Sequence, residues 1–287
     1  MKGILLAGGF GTRLGPVTKV ISKQLLPVYD KPMIYYPLSV LMASGLREIA
    51  LVSSPSQIEA FKKLLLDGTQ WGIKITYYIQ NSPNGLPDVF NVIDDNFLKD
   101  GTVLMLGDNL FYGSQIGKKI SELYSSNGAS IFGYLVNDIS ELGSFTVSKN
   151  NTIDKLVEKK GFGSGYAVPG VYKFDSQVKK LVQNLKYSPR GELEITDLIN
   201  IYNDKNLLTY QILDRGTAWI DTGTVENLAQ ASELIRVIQS AQGMLIGSPD
   251  EVAFRNGWIS KNELINIANT YGSSPYSKSL LDVILTP

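Results

Sequence analysis

Through its first half the chain alternates short, almost uniformly apolar runs with segments whose apolar residues recur at helical spacing. Residues 2–7, 49–53, 73–79, 103–106 and 130–136 read as strands. Between them, 33–44, 56–66, 89–97 and 115–125 read as helices, the first stopped at Gly45. A strand that is apolar on both faces has no side for water, and parallel neighbours need a crossover long enough to hold a helix. The pattern predicts an α/β protein with a mainly parallel sheet covered on both faces. Right-handed crossovers then gather the C-terminal strand ends along one edge, where such sheets bind ligands.

Beyond Ser144 the grammar changes. Short strands follow one another at 145–148, 153–158 and 166–174, as in an antiparallel part. Helices are expected at 176–185 and 195–203, and further strands at 207–213 and 218–220. From Val225 onward the pattern is helical, at 225–242, 260–271 and 276–285. This reading makes 1–224 a core whose two parts meet near residue 140. Residues 225–287 form a helical appendage, with Leu and Ile suited to packing on the core or on another subunit.

Two absences restrict the chemistry. With no Cys there are no disulfides, thiolate metal sites or thiol nucleophiles. With no His there is no imidazole general base and no His-ligated metal. Carboxylates, Lys, Arg, hydroxyls and backbone remain, so a bound metal would be a hard cation on oxygen ligands, with Mg²⁺ the first choice. Lys+Arg and Asp+Glu both number 27, which argues against nucleic-acid or membrane-surface binding. No run approaches the roughly 20 apolar residues of a membrane span. The apolar stretch after Lys2 is too short for a leader, and charge returns at Arg13.

The strongest local motif is Gly8-Gly9-Phe10-Gly11-Thr12-Arg13-Leu14, directly after the first strand. Its glycines let backbone N–H groups approach an anion, and Arg13, Lys19 and Lys23 supply charge. A plain strand-to-helix turn would need only one glycine. The motif is not a P-loop, because no Gly-Lys-Ser/Thr follows. Nor is it a clean dinucleotide fingerprint: Leu14 stands where the third glycine belongs, and Pro16 interrupts the following helix. Asp30, about 20 residues on, keeps an NAD-type reading open. Leu106-Gly107-Asp108-Asn109 and Trp219-Ile220-Asp221-Thr222-Gly223 each end an apolar run in an acid. Two such acids could share one Mg²⁺ with phosphate oxygens. Asp221-Thr222-Gly223 also matches the aspartic-protease triplet, but only one copy exists where two are needed.

These segments together resemble the sugar-1-phosphate nucleotidylyltransferases over essentially the whole chain. The glycine-rich loop with Ser22-Lys23-Gln24-Leu25-Leu26-Pro27 is similar to the family signature, and Asp30-Lys31-Pro32-Met33-Ile34-Tyr35-Tyr36-Pro37 to its thymidylyl branch. Arg190-Gly191-Glu192-Leu193-Glu194-Ile195-Thr196 and Trp219–Thr224 agree. Phe254-Arg255-Asn256-Gly257-Trp258-Ile259 resembles the C-terminal helical part of the longer members. The resemblance implies a three-layer Rossmann-like fold with a mixed, mainly parallel sheet. The part up to about residue 140 would bind nucleotide and the antiparallel part sugar. It further implies thymidylyl transfer from dTTP to glucose 1-phosphate with Mg²⁺, in a cytoplasmic homotetramer inhibited by a dTDP-sugar. A UTP-using or different-sugar enzyme of this fold, or a catalytically impaired nucleotide-sugar-binding homologue, are the alternatives.

The same resemblance implies residue roles. Gly8, Gly9, Gly11, Thr12, Arg13 and Gln24 would hold the nucleotide, with Arg13 on the leaving pyrophosphate. Lys23 would neutralise charge near the α-phosphorus. Gln80 and the backbone at Gly85 would read the pyrimidine edge. Asp108 and Asp221 would bind the metal. Gly143 and Glu158 would hold sugar hydroxyls, and Lys159 and Arg190 the sugar phosphate. Gly85-Leu86-Pro87-Asp88-Val89 replaces the usual Gly-Leu-Ala-Gln-Ala. Gly15 stands where Tyr is usual, Leu142-Gly143-Ser144 replaces Phe-Gly-Val, Lys160 replaces Pro, and Pro169 replaces Thr. These departures predict drift, an altered sugar preference, or activity lowered by an anion at Asp88.

Overall fold

The computed structural model describes residues 1–9, 11–113 and 115–285. Phe10 of the glycine-rich loop and the last two residues of the C-terminal appendage lie outside them. The strands are β1 (Lys2–Ala7), β2 (Pro27–Val28), β3 (Lys31–Pro32), β4 (Glu48–Ser53), β5 (Lys74–Ile79), β6 (Thr102–Leu106) and β7 (Asn109–Tyr112), then β8 (Ala129–Val136), β9 (Gly143–Val147), β10 (Ile153–Glu158), β11 (Gly165–Ala167), β12 (Val171–Phe174), β13 (Leu208–Ile212) and β14 (Ala218–Asp221). The helices are α1 (Tyr35–Ala43), α2 (Ile58–Leu65), α3 (Val89–Val92), α4 (Asp95–Leu98), α5 (Ile116–Glu122) and α6 (Val178–Val182), then α7 (Ile195–Asp204), α8 (Val225–Gln242), α9 (Pro249–Arg255), α10 (Lys261–Thr270) and α11 (Pro275–Val283).

One mixed sheet runs β10-β9-β11-β8-β12-β6-β1-β4-β5, with β13 added beside β8. The block β6-β1-β4-β5 is parallel, as its apolar runs require. β12 enters antiparallel between β6 and β8, and β8, β11, β9 and β10 continue antiparallel. The antiparallel part is thus an extension of the same sheet. Leu6 pairs with Leu106, so the loop after β1 and the acid after β6 leave the sheet side by side. Gly107 donates to Leu6 O at 2.8 Å, and a Cβ there would lie 2.8 Å from that same oxygen.

Two expected elements are broken. The helix expected over 89–97 is two short helices, because Ile93 is extended and Asp94 accepts from Phe97 N to cap α4. A short Asp side chain competes with helix continuation in this way. The strand expected over 166–174 splits at Pro169-Gly170. Proline cannot donate to a ladder, and Gly170 N–H donates instead to Asn109 Oδ1 at 3.2 Å. The two-residue strands β2 and β3, strand β7 and helix α9 are too short to show a period of their own.

Helices α9–α11 bury Ala253, Leu264, Ala268, Tyr276 and Leu280 in the same cluster as Leu5, Leu41 and Trp71. Trp71 Nε1 donates to buried Asp250 at 2.7 Å, and the Tyr276 hydroxyl donates to its other oxygen at 2.6 Å. The C-terminal helices therefore share the core of the sheet. Helix α8 packs Ala231 and Ile235 on Val28, Met33 and Leu110. Asp30 is used in this joint: it pairs with buried Lys31 at 2.5 Å and accepts from Gln239 on α8 at 2.9 Å. That engagement removes the one acid supporting a dinucleotide reading. No helix among the described residues is long and apolar enough to cross a membrane.

Candidate active site

The glycine-rich loop leaves β1 with Gly9 at φ +93° and Gly11 at φ +58°, left-handed conformations that disfavour side chains. No long helix follows; the loop tightens into a single 3₁₀ turn over Thr12–Leu14. Thr18 Oγ1 clamps it by donating to Gly11 O at 2.8 Å. Gln24 is buried, and its Nε2 donates to Gly8 O at 3.2 Å while its Oε1 accepts from Ser22 at 2.5 Å. Gln24 thus supports the loop from beneath. Arg13 is exposed at the mouth of the cleft, its guanidinium against Gly223.

Asp108 and Asp221 are brought together by strand pairing. β7 and β14 pair antiparallel with Asn109 opposite Asp221, and Asp108 O accepts from both Thr222 N and Thr222 Oγ1. Lys23 Nζ forms an ion pair with Asp108 Oδ2, both side chains 13% exposed. Burial works against the charge on Asp108, but Lys23 and the Asn109 amide outweigh it and hold the carboxyl below its usual range. Asp221 goes the other way: burial and then the charge of Asp108 push its carboxyl up, against the pull of Lys23 and Arg13. An electrostatically strained pair of oxygen donors is the setting a hard divalent cation relieves. No third acid joins them among the described residues, so phosphate oxygens and water would complete a Mg²⁺ shell. The residues fit that ion.

Beyond the acids a cleft of about 430 Å³ is lined by Arg13, Asp108, Glu158, Lys159, Tyr172, Thr196, Trp219 and Asp221. β10 and β9 place Glu158 opposite Gly143. Burial and then neighbouring Glu194 push the Glu158 carboxyl up, opposed by Lys159 and Arg190. Lys159 is exposed and held at φ +50° by its N–H bond to Leu142 O. Arg190 is exposed and makes a two-pronged pair with Glu194, at 2.5 and 3.1 Å, 3.7 Å from the cleft-lining Glu158.

On the other side of Gly8 and Gly9 a smaller cavity of about 240 Å³ is lined by Ser54, Ser56, Gln80, Asn81 and Ser82. A few residues beyond this lining, Gly85 has φ +104°, and a Cβ there would lie 2.1 Å from Leu193 O. Gly85 bridges Leu193, tying this pocket to the segment that carries Arg190 and Glu194. Asp88 lies beneath Gln80, buried among side-chain amides. Its carboxylate accepts from Gln80, Asn84 and Asn91.

Of the expected residues, Gly8, Gly9 and Gln80 line the smaller cavity and Arg13, Asp108, Gly143, Glu158, Lys159 and Asp221 the larger cleft, while Gly11, Thr12, Lys23, Gln24, Gly85 and Arg190 line neither. Sequence reasoning missed Asn109, whose Oδ1 gathers Gly170 N and Trp219 Nε1, and Thr222, which joins the two acid-bearing strands. It also missed Thr196 in the wall of the larger cleft and Glu194, the partner of Arg190. Their adjacency to Asp108, Asp221 and Arg190 in the motifs was the available signal.

Residues 2–237 match the nucleotidyl transferase family. The chain is 42% identical over 285 residues to the glucose-1-phosphate thymidylyltransferase of Mycobacterium tuberculosis, covering 99% of each. It is 44% identical over 287 residues to that of Neisseria gonorrhoeae, again covering 99% of each. Among solved structures it resembles a Bacillus anthracis protein assigned as a glucose-1-phosphate thymidylyltransferase, in complex with a sucrose. That match has TM-score 0.75 and 34% identity, covering 82% of this chain and 95% of that one. A UDP-glucose pyrophosphorylase complexed with UDP-glucose, 22% identical with TM-score 0.72 over 83% of this chain and 98% of that one, shares the fold.

Proposed function

Because this chain belongs to the nucleotidyl transferase family, we propose that its smaller cavity takes the base of dTTP and its larger cleft takes glucose 1-phosphate. The protein is an enzyme that transfers the thymidylyl group, giving dTDP-glucose and pyrophosphate. The observation that carries the reading is the meeting of Asp108 and Asp221, with Lys23 paired to Asp108, in a cleft that also holds Arg13 of the glycine loop, whose Gly8 and Gly9 line the smaller cavity.

The chain needs no general base. A sugar-phosphate oxygen is already an adequate nucleophile for the α-phosphorus, so the missing imidazole costs nothing. A new oxygen–phosphorus bond forms as the bond to pyrophosphate breaks, and that electron pair leaves with pyrophosphate. Lys159 and Arg190 hold the incoming phosphate, and Glu158 and the Gly143 backbone orient the sugar. Arg13 and the loop N–H groups take up charge on the leaving pyrophosphate. Lys23, released from Asp108 toward the phosphates, neutralises the reacting centre. Asp108 and Asp221 would hold Mg²⁺, which supplies Lewis-acid stabilisation of phosphate charge when bound. Catalysis is then positioning and charge neutralisation.

The same reading carries a cytoplasmic homotetramer with feedback inhibition by a dTDP-sugar, checked by solution mass and product-inhibition assays. The activity is tested by pyrophosphate release from dTTP and glucose 1-phosphate. Release should require Mg²⁺ and stop on chelation. A folded protein that releases none, with dTTP or UTP and any of several sugar 1-phosphates, overturns the reading.

A further inference from the structure

Gln80 donates from Nε2 to Asp88 Oδ2 at 3.1 Å and to Gly85 O at 3.4 Å. Asn84 donates to the same carboxylate oxygen at 3.2 Å, and Asn91 to the other at 3.0 Å. A carboxylate and a carbonyl only accept, so the Gln80 amide has one orientation here. The flipped amide would set its oxygen against two acceptors. Gln80 Oε1 is left facing Gly8, 3.6 Å from where a Cβ on that glycine would lie, beside the small cavity. No hydrogen bond among the described residues uses it.

We propose that Asp88 is a positioning residue for base selection: it locks the Gln80 amide so that the nucleotide pocket presents an acceptor, and thereby selects bases with an N–H on that edge. Thymine and uracil carry such a donor at N3. Cytosine carries an acceptor there and would face Gln80 Oε1 oxygen to lone pair. This rests on the assignment of the small cavity to the base, and it gives Asp88 a role in specificity where the sequence suggested impairment. A neutral amide at position 88 could donate or accept, and would orient Gln80 only as far as its own partners fix it.

The test is the ratio of kcat/KM for dTTP over dCTP with glucose 1-phosphate, alongside equilibrium binding of both nucleotides. Asp88→Leu removes the acceptor while keeping the branched shape and should lower the ratio at least about tenfold. Asp88→Ala serves if the leucine variant does not fold. The double variant D88N/N91D moves the carboxylate to position 91, where it accepts from the amide introduced at position 88 and leaves that amide's oxygen toward Gln80. It should keep the ratio. The KM for glucose 1-phosphate should not change in any of them. An unchanged ratio in the variant lacking the acceptor, or a proportional fall for both nucleotides, overturns the lock. Absence of turnover in the unaltered enzyme defeats the activity instead, and the binding ratio still decides the lock.

Discussion

The smaller cavity, proposed for the nucleotide end, and the larger cleft, proposed for the sugar end, hold their polar groups by different means. At the nucleotide end the groups are amides, backbone and the one buried Asp88 carboxylate, already paired among themselves: Gln24 under Gly8, Gln80 on Asp88, Gly85 against Leu193. At the sugar end they are charges in half-exposed pairs. Arg190 is 43% exposed on Glu194, and Glu158 sits under repulsion from Glu194. The first arrangement is rigid before ligand arrives and loses little on binding. The second must exchange one ionic partner for another. Nucleotide-end changes should therefore appear as stability or base selectivity, and sugar-end changes as KM for the sugar phosphate.

The largest effect is expected at the junction. Lys23→Ala leaves Asp108 unpaired beside Asp221 and should cut kcat by about 10³-fold, as loss of a transition-state charge donor does. Steady-state kinetics at saturating substrates check it, and a loss confined to KM would move Lys23 to simple binding. Next, Gly85→Ala drives a Cβ into Leu193 O and should cost about 3 kcal/mol or more by urea unfolding. A variant as stable as the parent would show that the nucleotide end yields, and would break the contrast. Arg190→Lys trades a planar fork for a point charge. It should raise the KM for glucose 1-phosphate about tenfold while leaving that for dTTP in place. Equal rises in both would make the two ends one unit.

The smallest effect is on pH-dependent stability at Glu158. Its carboxyl is pushed up in the fold, so the protonated form is favoured there. That contribution is present below the unfolded carboxylate range and is lost as pH rises through the raised value. Glu158→Gln should therefore raise Tm slightly at neutral pH, with the gain vanishing as pH falls through the carboxylate range. A gain that grows on acidification would reverse the assigned direction.

The parallel half of the fold was legible because each buried strand is a continuous apolar run. β1, read at 2–7, spans the same residues in the structure. The helix over 89–97 was misread because Asp94 looks like any polar position until its carboxylate meets Phe97 N. α9 was missed because seven residues give under two turns of period. In the site, the glycine loop and the two strand-end acids were visible as motifs. The amide cluster at Asp88 was visible only as an odd substitution.

What the sequence determined by itself was local or compositional. It excluded imidazole and thiol chemistry, marked the apolar strands, and placed glycines where a backbone must turn or be approached. Tertiary structure alone decided which groups meet. Asp108 and Asp221 are more than a hundred residues apart and become neighbours through the β7–β14 register. Gly85 is pressed against Leu193, more than a hundred residues on, by a single bridge between their backbones. Asp30, spaced like a ribose ligand, is instead drawn to Lys31 and α8. Periodicity and backbone freedom are properties of neighbours in the chain, whereas charge pairing and close approach depend on sheet register and helix packing.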